Sequence, residues 1–132
     1  MKLIEEIKLD NGLKLEIFDL TRSIAADTVK VELSFQTKIY LKESFFTNNQ
    51  DYLHIKNIMG EELTYEHKLE RSFVSKNDED SIRNELIKTF KNNSLSYLAA
   101  VNFPMKMAFS TLREIKKNPH KYQSCNKSDQ EE

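Results

Sequence analysis

The sequence predicts an α+β domain: a mainly antiparallel four-stranded sheet with two or three helices packed on one face. Three observations predict it. Two early segments alternate apolar and polar residues on either side of Asp10-Asn11-Gly12. Two longer segments, running from Val29 and from Leu63, alternate in the same way. After Asn77 the apolar residues recur at helical spacing instead. Strands dominate early and helices late, which is the order expected of α+β rather than of a parallel α/β chain.

The first two strands are expected over 3–9 and 13–20. A two-residue Asn-Gly turn would place Leu9 opposite Lys14 and Ile7 opposite Glu16, mixing apolar and charged residues on one face. Directly opposed residues share a face, so the pattern favours a three-residue loop with Gly12 left-handed, pairing Leu9 with Leu13 and Ile7 with Leu15. The connection Thr21–Thr28 is expected to hold a turn of helix around Ile24-Ala25-Ala26. In the third strand Val29, Val31, Leu33, Phe35, Thr37, Ile39 and Leu41 take one face, and Lys30, Glu32, Ser34, Gln36 and Lys38 the other.

Asn48 or Asn49 suits the cap of a short helix bearing Tyr52, Ile55 and Met59, with Gly60 just past its end. The fourth strand sets Leu63, Tyr65, His67, Leu69 and Phe73 against Thr64, Glu66, Lys68 and Glu70. Asn77 is the expected cap of a helix whose first turn is acidic (Asp78, Glu79, Asp80) and whose stripe is Ile82, Leu86 and Phe90. Asn92-Asn93-Ser94 is expected to break or bend it. Pro104 opens the last helix, with Met105, Ala108, Phe109 and Leu112 inward and Asn118-Pro119 as its stop. Residues 1–118 are thus read as a single α+β domain, and 119–132 as a polar tail expected to be disordered.

Composition narrows the function classes. At 132 residues there is room for one modest core. Twenty basic against 21 acidic residues leave a net charge of −1, which removes a whole-molecule attraction for nucleic acid or anionic membrane. The one cysteine, Cys125, cannot close an intramolecular disulfide, and acids at Glu5 and Glu6 interrupt any leader-like apolar run. A cytoplasmic protein without a membrane span is expected. With only Gly12 and Gly60, the chain holds neither a P-loop nor a dinucleotide-binding glycine loop.

His67 falls on the apolar face of the fourth strand, with Arg71 on the same face four residues on. Together with Tyr65 and Asp19 they make a candidate anion or ligand site. The plainer account is a histidine satisfied by local hydrogen bonds beside an arginine that reaches solvent, and burial statistics favour it. His54, His67 and His120 show no metal-ligand spacing, and Asp78-Glu79-Asp80 lacks the glycine and final glutamate of a calcium loop, so no metal and no cofactor are expected. No serine sits in a nucleophile elbow. The last helix and its continuation carry Lys106, Arg113, Lys116, Lys117 and Lys121 against Glu114 alone, a basic patch for which lysines compensating a solvated helix end are the favoured account.

The opening Asn11-Gly12-Leu13, followed by Ile17-Phe18-Asp19-Leu20-Thr21-Arg22 and a long alternating strand, resembles the beginning of a group of small uncharacterised bacterial proteins. The resemblance covers the first third of the chain. It implies a bacterial origin and carries no activity, and it makes Asp19 and Arg22 the first residues to test; their plain role is a strand-end salt bridge and hydrogen bonds in the turn. With catalytic signatures absent, the function expected is a non-catalytic binding or protein-interaction domain, with a homodimer among its expected forms. A small enzyme or ligand-binding protein built around His67 and Arg71 is the alternative. Nucleic-acid contact through the basic last helix is the weaker one.

Overall fold

A computed structural model describes residues 2–118. The elements run β1 (Lys2–Lys8), β2 (Lys14–Asp19), β3 (Arg22–Ala25), β4 (Thr28–Tyr40), α1 (Asn49–Met59), β5 (Glu62–Ser75), α2 (Glu79–Ala99) and α3 (Phe103–Lys117). Short 3-10 turns lie at Glu43–Phe45 and Lys76–Asp78. The class is α+β, with one antiparallel sheet and three helices. The sheet has five strands where four were expected. Residues 119–132, and with them Lys121, lie outside the described residues.

The chain divides into two compact units. The first runs from the start of the described chain to Lys38 and from Thr64 to Val101. Its hairpin has the three-residue loop: Ile7 faces Leu15 and Lys8 faces Lys14, and Leu9 N donates to Leu13 O at 2.8 Å. Gly12 has φ +90°, so its N–H turns back to Leu9 O at 3.0 Å. An added Cβ there would meet nothing within 4 Å, which isolates backbone strain from packing. Gly12→Ala is expected to cost about 1–2 kcal/mol, the left-handed penalty of a side chain. Urea denaturation checks it, and an unchanged midpoint would contradict it.

Asn11 ties this hairpin to α2. Its side-chain amide donates to Leu98 O at 2.7 Å and Ala100 O at 2.8 Å, while its Oδ1 accepts from Leu13 N at 3.1 Å. Carbonyls at a helix C-terminus lack intrahelical partners, and here a turn residue supplies them.

The stretch expected to be helical around Ile24 is strand. β2 pairs Leu15 to Asp19 against Thr37 to Leu33 of β4, and β3 resumes the same register with Arg22 opposite Lys30. At the interruption, Asp19 Oδ1 accepts from Thr21 N at 2.9 Å and Thr21 Oγ1 accepts from Glu32 N at 3.3 Å. The four β3 residues are all exposed, so no burial alternation marked them as strand.

β4 is as the alternation requires: Val29, Val31, Leu33, Phe35 and Thr37 are all buried. α2 covers this face. Phe90 stacks on Phe35 with ring centres 3.9 Å apart and planes 9° from parallel. Lys91 Nζ reaches Glu5 Oε2 at 2.7 Å. The helix begins at Glu79 after a 3-10 turn that contains Asn77, so Asn77 is not its cap. Nor do Asn92-Asn93-Ser94 break it. Leu86 and Phe90 on one side of them and Leu98 on the other are buried, and burying such side chains outweighs the few tenths of a kcal/mol that each asparagine costs a helix.

In β5 the expected apolar face ends early. Phe73 adopts φ +57° and is 79% exposed, and Val74 is buried in its place. A left-handed residue inside a strand resets the alternation, so the face changes parity at that point.

The second unit comprises Ile39–Leu63 and the described residues from Asn102 on. Asn48 caps α1 by accepting from Asp51 N at 2.8 Å, and Gly60 follows the helix with φ +83°, its N–H donating to Lys56 O. Ile39, Leu41, Ile55, Leu63, Phe103, Ala108, Leu112 and Ile115 are buried. The inner stripe of α3 therefore differs from the expected one. Met105 and Phe109 are partly exposed, while Phe103 and Ile115 are core.

Candidate functional site

A concave feature of the second unit lies between α1 and α3. Asn48 starts α1 and fixes Asp51 in its first turn. Ahead of it, Phe45 and Phe46 follow from the 3-10 turn, and Phe46 packs against Tyr52 with ring centres 6.0 Å apart. On α3, Phe109, Leu112, Arg113 and Lys116 recur at three- and four-residue spacing and so share one helical face. Phe109 meets Phe46 edge-on at 5.8 Å. Together Phe46, Thr47, Asp51, Phe109, Leu112, Arg113 and Lys116 line an open pocket of about 270 Å³.

Its electrostatics are set by three side chains. Lys116 Nζ stands 3.2 Å from Asp51 Oδ1, and Asn48 Nδ2 donates to Asp51 Oδ2 at 3.2 Å, so both carboxylate oxygens are engaged. Lys116 and Asp51 largely neutralise each other. Arg113 has no hydrogen bond or ion pair among the described residues. The pocket is thus an aromatic and aliphatic floor with one uncompensated guanidinium at its rim.

Of the expected basic patch, Arg113 and Lys116 line this pocket, while Lys106 and Lys117 are exposed along α3. The patch is less uniformly cationic than its sequence, because Asp51 offsets Lys116.

The residues proposed around His67 lie in the first unit. The His67 ring centre is 5.9 Å from that of Phe90, so it does take the α2-facing side of β5, yet His67 is exposed rather than buried. Arg71 is exposed on the same strand. Tyr65 is half-buried, and burial, with a smaller contribution from Tyr97, raises its phenol above the ordinary tyrosine pKa. The charged phenolate is therefore disfavoured in the folded chain. Stability contributed by Tyr65 is intact below the unfolded-state value of about 10 and lost as pH rises through the higher folded value. Tyr65→Phe should accordingly flatten the fall in stability above that pH, measured by urea midpoints; an identical fall in both proteins would contradict it.

Asp19 and Arg22 are not partners. Asp19 Oδ2 pairs with Arg83 Nε of α2 at 3.1 Å, as an ion contact rather than an aligned hydrogen bond. Arg83 also holds Glu79 and, at 2.7 Å, Asp80. Arg22 is exposed opposite Lys30. Asp19 thus makes the plain strand-end salt bridge and turn hydrogen bond, but with an arginine 64 residues further along rather than with its neighbour.

Sequence reasoning missed Phe46, Thr47 and Asp51. Phe45-Phe46 lies in a connection to which no element was assigned, and two adjacent aromatics in a loop were the available signal. Among the described residues no group of His, Cys, Asp and Glu is arranged to hold a metal ion, and no helix is long and apolar enough to cross a membrane. No protein-family model, no curated protein and no solved structure matches the chain.

Proposed function

We propose that this chain is a small non-catalytic binding domain of the cytoplasm, which recognises an acidic residue flanked by an apolar side chain in a partner protein. The binding site is the pocket between α1 and α3. The observation that carries this reading is Arg113, a cation without a partner among the described residues, set beside the apolar floor of Phe46, Phe109 and Leu112. Size supports it too. At about 270 Å³ the pocket is smaller than the roughly 300–1,000 Å³ usual for drug-sized ligands and cofactors, and suits one or two side chains. A carboxylate on Arg113 forms a charge-assisted, bidentate contact while the apolar neighbour covers the floor. The lone thiol, Cys125, fits a reducing compartment.

The test is a titration with a blocked Phe-Glu dipeptide, followed by the NMR resonances of Phe46, Phe109 and Leu112. Saturable shifts in the millimolar range are expected. Replacing Glu by Gln in the peptide, or Arg113 by Ala in the protein, should each weaken binding at least tenfold, since a hydrogen bond to a charged group contributes about 1.5–3 kcal/mol. Equal affinity for the Phe-Glu and Phe-Gln peptides, or shifts scattered away from these residues, would overturn the proposal.

A further inference from the structure

We propose that two copies of this chain associate through the free edge of β5, pairing antiparallel about a two-fold axis at Leu69. The inference rests on the first unit, independently of the pocket between α1 and α3. Among the described residues β5 hydrogen-bonds one strand, β4, so its other edge carries unpaired backbone donors and acceptors. Thr64, Glu66, His67, Lys68, Glu70, Arg71 and Ser72 are exposed on both alternations of the strand, as an open edge requires and unlike β4, in which only Lys38 and Tyr40 are exposed. The sheet's other free edges are poorer templates. β1 has seven residues and a register shift between Leu3 and Glu5, and β3 has four residues and a shift between Ser23 and Ala25. Bulges and short strands are the usual means of blocking edge pairing. β5 lacks a left-handed residue until Phe73.

Charge selects the occupant and the register. Opposed residues in an antiparallel pair share a face, and like charges directly opposite are unfavourable. Pairing about Leu69 sets Lys68 against Glu70 of the second copy twice, with Leu69 against itself at the centre. Pairing about Lys68 would set Glu66 against Glu70 twice, and pairing about Glu70 would set that carboxylate against itself. Pairing about His67 would set Glu66 against Lys68 twice, but it also sets His67 against itself, and Glu66 Oε2 is already shared between Ser34 Oγ at 2.6 Å and Gln36 Nε2 at 3.2 Å. Glu70 keeps its contact with Lys30 of its own chain at 3.1 Å and has a second oxygen to offer Lys68 of the other. The strand therefore complements itself best about Leu69, and the alternating charges that deter an arbitrary strand match a second copy.

A single strand pair is a small interface, below the roughly 1,200 Å² of stable complexes, so a weak, concentration-dependent dimer is expected. Sedimentation equilibrium of the full chain over a hundredfold concentration range should show a monomer–dimer transition. Lys68→Glu should weaken it at least tenfold, and adding Glu70→Lys should restore it, with circular dichroism confirming that each variant folds. Rescue by Glu66→Lys instead would overturn the Leu69 register. Leu69→Cys in a Cys125→Ser background should form a disulfide-linked dimer readily, because residues facing each other across an antiparallel pair lie within disulfide reach, whereas Lys68→Cys should not. A monomer at every concentration, or equal cross-linking of the two cysteine variants, overturns the proposal.

Discussion

Phe90→Ala is expected to destabilise the fold by about 3–5 kcal/mol, the cost of emptying an aromatic site in a packed core. Phe90 is 2% exposed and stacks on Phe35, itself fully buried at the centre of the longest apolar strand face. The loss has two parts. One is the transfer of a large apolar side chain back to water, and the other is the cavity that Phe35 and its neighbours only partly fill. A double-mutant cycle with Phe35→Ala separates the stacking contribution, which should appear as a coupling of about 0.5–1.5 kcal/mol. Phe73→Ala is the control. That phenylalanine is 79% exposed, so its removal should change stability by no more than about 0.5 kcal/mol in either direction. Urea unfolding followed by circular dichroism measures the parent chain and all four variants. Equal effects at Phe90 and Phe73 would contradict the assignment of Phe90 as the contact between α2 and the sheet.

Asn11→Ala should cost about 1.5–3 kcal/mol, far more than an exposed turn residue usually carries. The sum follows from three hydrogen bonds of about 0.5–1 kcal/mol each, made to Leu98 O, Ala100 O and Leu13 N. Asn11→Asp distinguishes the donors from the acceptor. Aspartate keeps the turn contact to Leu13 N, but sets a carboxylate against two carbonyls at the negative end of α2. It should therefore be at least as damaging as alanine, whereas a residue acting only in the turn would tolerate aspartate well. Near-native stability of Asn11→Asp, measured by the same unfolding experiment, would reduce Asn11 to a turn former.

These two residues mark where the sequence was readable and where it was not. Phe35 was placed on the buried face by alternation alone, because β4 has one covered face and one charged face and its parity is unambiguous. The hairpin register was equally legible, since only a three-residue loop keeps Leu9, Leu13, Ile7 and Leu15 on one side. Asn11 was visible as a turn residue, but its hydrogen bonds to the end of α2, 87 and 89 residues away, follow from how the helix docks. The same holds for Asp19, whose partner Arg83 sits on a helix that lay far along the sequence.

Other elements were misread for local reasons. β3 is exposed throughout and has no period to detect. Asn92-Asn93-Ser94 has weak helix propensity, which the burial of Leu86, Phe90 and Leu98 overrides. On α3 an apolar residue stands at nearly every plausible phase, so sequence could not choose between Met105 and Phe109 on one side and Phe103 and Ile115 on the other. The pocket followed the same logic. Arg113 and Lys116 stood out as charges, but Phe46 and Asp51 come from a loop and a helix start about 60 residues earlier on the chain.

By itself, then, the sequence determined the α+β class, the antiparallel hairpin with a left-handed Gly12, and the buried face of β4. Each depends on a period or a backbone constraint that neighbouring residues enforce. The tertiary structure alone decided that Asn11 closes α2, that Asp19 binds Arg83, that Phe73 turns outward and that Arg113 borders an aromatic pocket. Those outcomes depend on which distant surfaces meet, and burial and hydrogen bonding between them outweigh the local preferences on which a sequence pattern rests.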